Sequence, residues 1–123
     1  MDPSDSDMEA LMRSDDPDFE RIMECVFGIQ QHEIRTFFAL VEAPGSTVAE
    51  LAATIDRDRS NVSRSLSTLY DKGLIDRERR LLDGGGYVYQ YFAISLDEMR
   101  ARMHRGVDEW SDQVHEAIDD IEP

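Results

Sequence analysis

The sequence predicts a mainly α-helical protein that carries one small β-hairpin. Apolar residues recur at helical spacing in five stretches, and two further stretches alternate and are rich in aromatic and β-branched residues. The glycine-rich segment 83–86 joins those two stretches, which is typical of a hairpin. At 123 residues the chain has room for one modest core, and no apolar run approaches the length of a membrane span.

The first two helices follow a polar segment. Residues 1–15 lack helical periodicity, so we expect a disordered acidic tail. The first helix is expected to have Asp16 as its N-cap and Pro17 at its first helical position, and to stop at Gly28. A second helix is predicted over residues 31–42. The apolar stripe of the first helix consists of Phe19, Ile22, Met23, Val26 and Phe27.

Two capping signals place the next two helices. Thr47 and Glu50 form a capping box, in which each side chain satisfies a backbone N–H left free at a helix start. Asp58 is expected to cap a fourth helix that runs to about Lys72, where Gly73 is a natural left-handed C-cap. The apolar positions of this fourth helix are Val62, Leu66 and Leu69.

The rest of the chain is predicted to form the hairpin and a long helix. The strands are expected over residues 74–82 and 87–94. A second capping box, formed by Ser95 and Glu98, starts a helix that runs to about Ile121. One apolar stripe follows this helix and consists of Leu96, Met99, Met103, Val107, Trp110, Val114, Ile118 and Ile121.

That stripe is longer than a domain this small could cover with its own core. We therefore predict a winged helix-turn-helix domain over residues 16–95 and a C-terminal dimerisation helix over residues 96–123, with the first helix joining the homodimer interface. The alternative is that the stripe only folds back on the first helix.

The predicted order of helix, helix, short helix, tight turn, helix and hairpin is the layout of a winged helix-turn-helix. On the fourth helix, the side opposite the apolar positions carries groups that suit base edges, because arginine bonds guanine, asparagine bonds adenine and hydroxyls bond either. Arg57 and Arg59 lie at the helix start, where free N–H groups and positive charge attract phosphate. The predicted DNA-binding residues of this helix are Arg59, Ser60, Asn61, Ser63, Arg64, Ser67 and Thr68.

The charge distribution favours DNA over an ordinary solvated helix face. The chain has a net charge of −14, yet residues 57–80 hold seven bases and four acids. A solvated face in so acid-rich a chain should itself be acidic. Double-stranded DNA is therefore the predicted partner, and a winged-helix module that binds protein instead is the alternative. Twelve of the 13 bases are arginine, and such acid-rich, lysine-poor composition resembles that of halophile proteins.

The hairpin carries bases just before its glycine-rich turn. Arg79 and Arg80 are predicted to reach the adjacent minor groove or its phosphates. For Arg77 the same contact and its alternative stay equally open. The alternative for all three is an edge strand whose charges discourage aggregation.

Several segments resemble known transcription regulators. Residues 27–29 and 32–40 look like the opening of TrmB-type regulators. Residues 51–64 and 69–75 are similar to the core of MarR- and TrmB-like winged helices, and residues 83–89 resemble the wing of small haloarchaeal members. The resemblance implies a winged-helix fold and a DNA-binding regulator, and a role in stress response is one function that it suggests.

The chain departs from these families in two ways. Asp56 occupies the turn position where they usually carry glycine; aspartate is among the few residues that tolerate a left-handed backbone, so we expect the turn to survive. The sequence also has no appended effector domain of the larger TrmB proteins, so sugar sensing is not expected.

Other candidates for chemistry are weak. Cys25 is the single cysteine, which excludes an intramolecular disulfide and suits a cytoplasmic protein; we expect a small core residue rather than a redox sensor. The histidines are far apart, so no metal is predicted: they are His32, His104 and His115. Because no catalytic grouping or phosphate loop occurs, we expect neither an enzyme nor a cofactor.

Overall fold

The computed structural model describes residues 18–122. The predicted tail, and Asp16 with Pro17, lie outside these residues. The described elements confirm a mainly α-helical fold with a two-stranded antiparallel hairpin. In chain order they are α1 (Phe19–Phe27), α2 (Gln31–Glu42), α3 (Val48–Thr54), α4 (Arg59–Asp71), β1 (Ile75–Leu81), β2 (Tyr87–Ala93) and α5 (Leu96–Asp119).

The chain forms two compact units. One unit is Ile29–Ile94, which holds α2, α3, α4 and the hairpin. The described part of the other consists of residues 18–28 and 95–122, which hold α1 and α5. The predicted base-reading residues all lie in the first unit, and the predicted dimer stripe lies in the second.

The core of the Ile29–Ile94 unit forms where its three helices meet the base of the hairpin. Each buried apolar side chain stabilises the fold by about 1.5–3 kcal/mol relative to an exposed one. The prediction that Val62, Leu66 and Leu69 define the inner side of α4 is confirmed, which leaves the opposite side of α4 facing outward. The fully buried side chains include Ile34, Phe37, Leu40, Leu51, Val62, Leu66, Leu69, Leu74 and Ile75.

The turn from α3 to α4 is held by an aspartate in a left-handed conformation. Asp56 has φ 52, and among the described residues it is the one non-glycine residue with positive φ. The next residue, Arg57, donates its backbone N–H to the carbonyl oxygen of Ala52 at 3.0 Å. Aspartate therefore tolerates the left-handed conformation at this turn, as the sequence led us to expect.

Both ends of α4 are capped as predicted. Asp58 is the N-cap, and its Oδ1 accepts the backbone N–H of Asn61 at 2.9 Å. At the other end Gly73 has φ 73, a conformation that glycine adopts without the steric cost of a side chain. The N–H of Leu74 then bonds the carbonyl of Leu69 at 3.0 Å, which completes a Schellman motif.

The hairpin pairs Ile75 with Ala93 at its base and Leu81 with Tyr87 at its far end. A bridge between Ser46 and Tyr91 adds a third, very short strand at the base. The alternation expected of β1 does not produce alternating burial: only Ile75 is buried, and the rest of β1 is exposed. The hairpin therefore projects beyond the core.

Three details of α1 and α5 correct the sequence analysis. The N-cap of α1 is Asp18, whose carboxylate accepts the N–H of Glu20 at 2.9 Å, so the helix starts two residues later than predicted. Only the Ser95 half of the second capping box forms, because the Glu98 carboxylate accepts from Arg102 instead. Helix α5 ends at Asp119, so Ile121, assigned to its stripe, lies beyond the helix.

Close packing between α1 and α5 depends on Gly106. A Cβ at this position would collide with Cγ1 of Val26. Gly106→Ala is expected to lower the free energy of unfolding, because overpacking costs about 1–3 kcal/mol and alanine gains at most about 1 kcal/mol in helix propensity. Urea denaturation measures this difference.

The matched control for this variant is Gly84→Ala, because no atom lies within 4 Å of a Cβ at Gly84. Its unfolding should change by less than about 0.5 kcal/mol. The double variant Val26→Ala/Gly106→Ala should lose less stability than the sum of its single changes. Strict additivity would contradict a close contact between the two helices.

Candidate nucleic-acid interface

The outward side of α4 presents the residue types that the sequence analysis selected. Arg59 and Arg64 are exposed at its first and second turns. Three serines are exposed between or beyond them, which keeps the surface shallow and lets another molecule approach the helix closely. Of the predicted set, Arg59, Ser60, Ser63, Arg64 and Ser67 are exposed, whereas Asn61 and Thr68 are half-buried.

A chain of hydrogen bonds links three side chains on this surface. The Nδ2 group of Asn61 donates to Oδ2 of Asp58 at 2.8 Å. The Oδ1 atom of Asn61 accepts a bond from Nη2 of Arg64. Both halves of the Asn61 amide are therefore engaged within the protein, while the guanidinium of Arg64 is held in one direction by its neighbour.

Arg57 has surroundings different from those of the other bases. It is half-buried, and its Nη1 atom is shielded from solvent without a hydrogen-bond partner among residues 18–122. The sequence analysis placed Arg57 beside Arg59 as a phosphate contact, but only Arg59 is exposed at the start of α4. Buried Ser65, which the sequence analysis did not select, also has an Oγ atom without a partner in the described part of the chain.

Two arginines of the hairpin pack against tyrosine rings. The guanidinium of Arg77 lies between the rings of Tyr70 and Tyr89, 4.5 and 4.4 Å from their centroids. Arg79 lies over the ring of Tyr87 at 5.0 Å. Each cation–π contact contributes about 0.5–1 kcal/mol at an exposed site. Arg77 therefore braces the hairpin against α4, which gives it a structural role.

The sequence analysis missed these tyrosines as partners of the arginines. The signal was present, because tyrosine recurs at positions 87, 89 and 91 of β2 and arginine at positions 77 and 79 of β1. The strand register places Arg79 opposite Tyr89 and Arg77 opposite Tyr91, so the two series share one face of the hairpin.

Arg80 points its charge toward the other face of the hairpin. Hydrogen bonds from the backbone and side chain of Thr47 hold the pKa of the Glu50 carboxyl below its usual value, and the charge of Arg80 lowers this pKa further. Arg80 is exposed, as is Arg79. The hairpin thus carries Arg77 and Arg79 on one face and Arg80 on the other.

A cleft of about 260 Å³ connects the start of α4 to the hairpin. Its wall includes Arg59 on one side and Tyr89 on the other. The start of α4 and the side of β2 therefore border one concave region of the Ile29–Ile94 unit. The residues that line this cleft are Thr47, Val48, Ala49, Arg59, Val88, Tyr89 and Tyr91.

The predicted dimer stripe of α5 changes character along the helix. Met99 and Met103, near its start, are buried, in the region where α1 packs against α5. Trp110 and Val114 are half-buried. Ile118 is 56% exposed and Ile121 76% exposed. Leu96 and Val107 are exposed at the edges of the packed region.

The remaining sequence predictions concern the cysteine, metal binding and membrane spans. Cys25 is half-buried on α1. Within residues 18–122, no group of three or more histidine, cysteine, aspartate or glutamate side chains is placed to hold a metal ion. None of the described helices combines the length and the apolar character needed to cross a membrane.

Known proteins are similar to this chain in sequence and in fold. The uncharacterized protein MJ1503 of Methanocaldococcus jannaschii is 31% identical over 104 residues, which cover 85% of this chain and 79% of that protein. A possible transcriptional regulator from Methanosarcina mazei Go1 is similar in structure, with a TM-score of 0.78 and 25% identity over 85% of this chain and 88% of the other. A MarR transcriptional regulator from the same organism shares the fold at 18% identity and a TM-score of 0.55, covering 84% and 70% of the two chains.

The helices, the short third strand and the projecting hairpin together define a winged-helix protein. Residues 23–97 match the family model described as "Sugar-specific transcriptional regulator TrmB". The chain therefore belongs to the TrmB family of transcriptional regulators, as the resemblance in its sequence had implied. This is a family of regulators rather than of enzymes.

Proposed function

We propose that this protein is a sequence-specific DNA-binding regulator that acts as a homodimer, with α4 in the major groove and the hairpin as a wing at the adjoining minor groove. One observation carries the proposal. In a chain of net charge −14, the exposed side of α4 carries arginines and hydroxyls, and the hairpin beside it adds Arg79 and Arg80. A phosphate backbone is the natural partner for such a local basic surface.

Arg64 is the residue that we assign to direct reading of a base. It is exposed in the second turn of α4, and its bond to Asn61 uses only one of its five donors. The four remaining N–H donors are enough to form the two parallel hydrogen bonds that guanine accepts at O6 and N7. Arg59, at the start of α4, suits a phosphate, and Arg57 remains a weaker candidate because it is half-buried.

Asn61 serves in this proposal as the residue that positions Arg64. A bidentate contact to adenine would require Asn61 to give up its bonds to Asp58 and Arg64. Holding an arginine in its bound direction lowers the entropy lost on binding. The hydroxyls of Ser60, Ser63, Ser67 and Thr68 would supply further contacts to bases or phosphates.

A double-mutant cycle separates positioning from direct reading. We expect Asn61→Ala to weaken binding about tenfold in the presence of Arg64, and to have almost no effect in an Arg64→Ala background. Fluorescence anisotropy with a bound duplex measures the four affinities. If Asn61 reads a base itself, the two losses will instead add.

The support for a homodimer comes from the unit that holds α1 and α5. The end of α5 exposes Ile118, and Ile121 just beyond the helix is more exposed still. A symmetric partner would cover these side chains with the same stripe of its own α5, because a two-fold interface uses one patch twice. The charge at this end is strongly acidic, which favours a contact between apolar stripes over contact with DNA. A dimer would also present two copies of α4 to paired half-sites.

Selection from a pool of random DNA duplexes tests the proposed function directly. We expect the protein to enrich one motif, repeated as two half-sites whose centres lie about 10–10.5 base pairs apart or a multiple of that distance. Enrichment of a single unpaired half-site would contradict the dimer. Failure to enrich any sequence would favour the alternative, a winged-helix module that binds protein. A halophilic or stress-related role is also a proposal. The enriched motif would help to locate the binding sites, and so the neighbouring genes, in a genome.

A further inference from the structure

The tip of the hairpin, residues 81–87, exposes an apolar cluster that the proposed contacts do not use. Leu81 is 76% exposed, Leu82 42% and Tyr87 49%. Strand register pairs Leu81 directly with Tyr87, so the two side chains lie side by side on one face. In water, such exposure of large apolar groups at the end of a projecting element is unfavourable.

The other large apolar side chains that are exposed among residues 18–122 have settings of their own. Large exposed side chains on α1 and α5 belong to the unit that holds the proposed dimer stripe, and Tyr70 stacks on Arg77. The cluster at the hairpin tip lies in the other unit. It therefore calls for a partner of its own.

The tip is also held in a defined shape. The N–H of Leu82 bonds the carbonyl of Gly86 at 3.0 Å, and the N–H of Gly85 bonds the carbonyl of Leu82 at 3.1 Å. Gly86 has φ 80, which a residue with a side chain rarely adopts. Tyr87 packs edge-on against Tyr89 at 5.4 Å. Leu81 is thus presented by a braced loop.

Charge around the tip indicates the kind of partner. Arg79 lies over Tyr87 on the same face as Leu81, and Arg80 is the next residue in the chain. Asp83 is the one acid within the tip segment. An apolar side chain beside an arginine on the same face matches the minor groove, where deoxyribose walls are apolar and the potential is negative.

We propose that Leu81, supported by Tyr87, packs into the minor groove of DNA and makes the wing selective for A·T-rich flanking sequence. The inference rests on the proposed DNA-binding function and extends it to the region beside the major-groove contact. The physical reason is steric. A G·C pair places the N2 amino group of guanine in the minor groove, where A·T pairs leave room for an apolar side chain.

Three duplexes test this inference. They share the selected half-sites and differ only in the base pairs flanking them, which are A·T, G·C or inosine·C. Inosine lacks the N2 amino group, so an inosine·C pair resembles A·T in the minor groove and G·C in the major groove. We expect the wild-type protein to bind the A·T and inosine·C duplexes equally and the G·C duplex about tenfold more weakly.

Leu81→Thr removes the apolar side chain and keeps a residue that favours strands. We expect this variant to bind the A·T duplex about tenfold more weakly than wild type and to distinguish the three duplexes by less than about twofold. Leu82→Thr makes the same change at the neighbouring exposed residue, which lies beyond the end of β1 and has no assigned contact with DNA, and it should preserve the wild-type pattern. Circular dichroism checks that both variants fold.

The possible failures are distinguishable. If no duplex is bound by any form of the protein, the proposed function itself fails, and this inference with it. If wild type binds but does not separate the G·C duplex from the inosine·C duplex, or if Leu81→Thr separates them as well as wild type does, only the role of Leu81 is overturned. A change of oligomeric state in Leu81→Thr, with unchanged discrimination, would also overturn it and assign the tip to contact between protein chains.

Discussion

Ile118→Asp is expected to make the protein monomeric and to weaken its binding to a two-half-site duplex at least about a hundredfold. Ile118 is 56% exposed in the single chain, so the change should not disturb the fold of that chain. In a homodimer the same position is buried twice, and an unpaired carboxylate in an apolar contact is costly. Loss of the dimer also removes the gain of about 10²–10⁴ that comes from linking two binding modules.

Sedimentation velocity measures the oligomeric state, and anisotropy measures the affinity. The matched control is Gln113→Glu, which adds one negative charge to the same helix at an exposed position outside the stripe. It should remain dimeric and bind as wild type does. A dimeric Ile118→Asp with full affinity would show that the end of α5 is not the interface.

Arg59→Ala/Arg64→Ala is expected to bind the selected duplex at least about a hundredfold more weakly than wild type. A bidentate bond from arginine to guanine is worth about 1–3 kcal/mol, and removing the phosphate bond of Arg59 weakens binding further. The remaining binding should discriminate poorly between the selected duplex and an unrelated one, because phosphate contacts carry no sequence information. Both residues are exposed, so the melting temperature should change little.

The control for this double variant removes two arginines from α5, as Arg100→Ala/Arg105→Ala. It makes the same change in net charge, and both side chains are more than 60% exposed. Its affinity should fall by less than about threefold, since these bases lie outside the proposed interface. Equal losses of affinity in the two double variants would mean that general charge, rather than the surface of α4, determines binding.

Much of the fold could be predicted because its signals are short-range. The Thr47–Glu50 capping box forms with the two hydrogen bonds that its sequence implies. The inner side of α4 follows from a helical period of 3.6 residues, and the left-handed Asp56 follows from the few residues that tolerate that conformation. Each of these depends mainly on residues close by in the chain.

The errors arose where distant or competing groups decide the outcome. Glu98 was expected to bond back to the start of α5, but Arg102 lies one turn along the same helix and offers a charged donor. The stripe of α5 was extended to Ile121, although the helix ends at Asp119 with two more acids nearby. Acids at a helix C-terminus are disfavoured by the helix dipole, which opposes further extension.

The candidate site was likewise predictable only in part from the sequence. The sequence alone was enough to single out arginine and hydroxyl side chains on one side of the helix that Asp58 caps, because side-chain direction in a helix follows from position. It could not reveal that Asn61 is engaged at both ends of its amide, since that depends on the rotamers of three side chains. The exposure of Leu81 was likewise decided by the structure, because the sequence shows only that an apolar residue precedes the glycine-rich turn.

The elements of this protein and most of their caps could be predicted from the order of its residues, because backbone geometry and hydrophobic periodicity act locally. Its family was indicated instead by the resemblance of several segments to known regulators. Tertiary structure decided which side chains meet. It placed Arg77 between Tyr70 and Tyr89, set Gly106 against Val26, and left the end of α5 exposed. These outcomes depend on the distance and angle between packed elements. The recurring arginines and tyrosines of the hairpin indicate a shared face, but they do not indicate that Tyr70 of α4 meets Arg77.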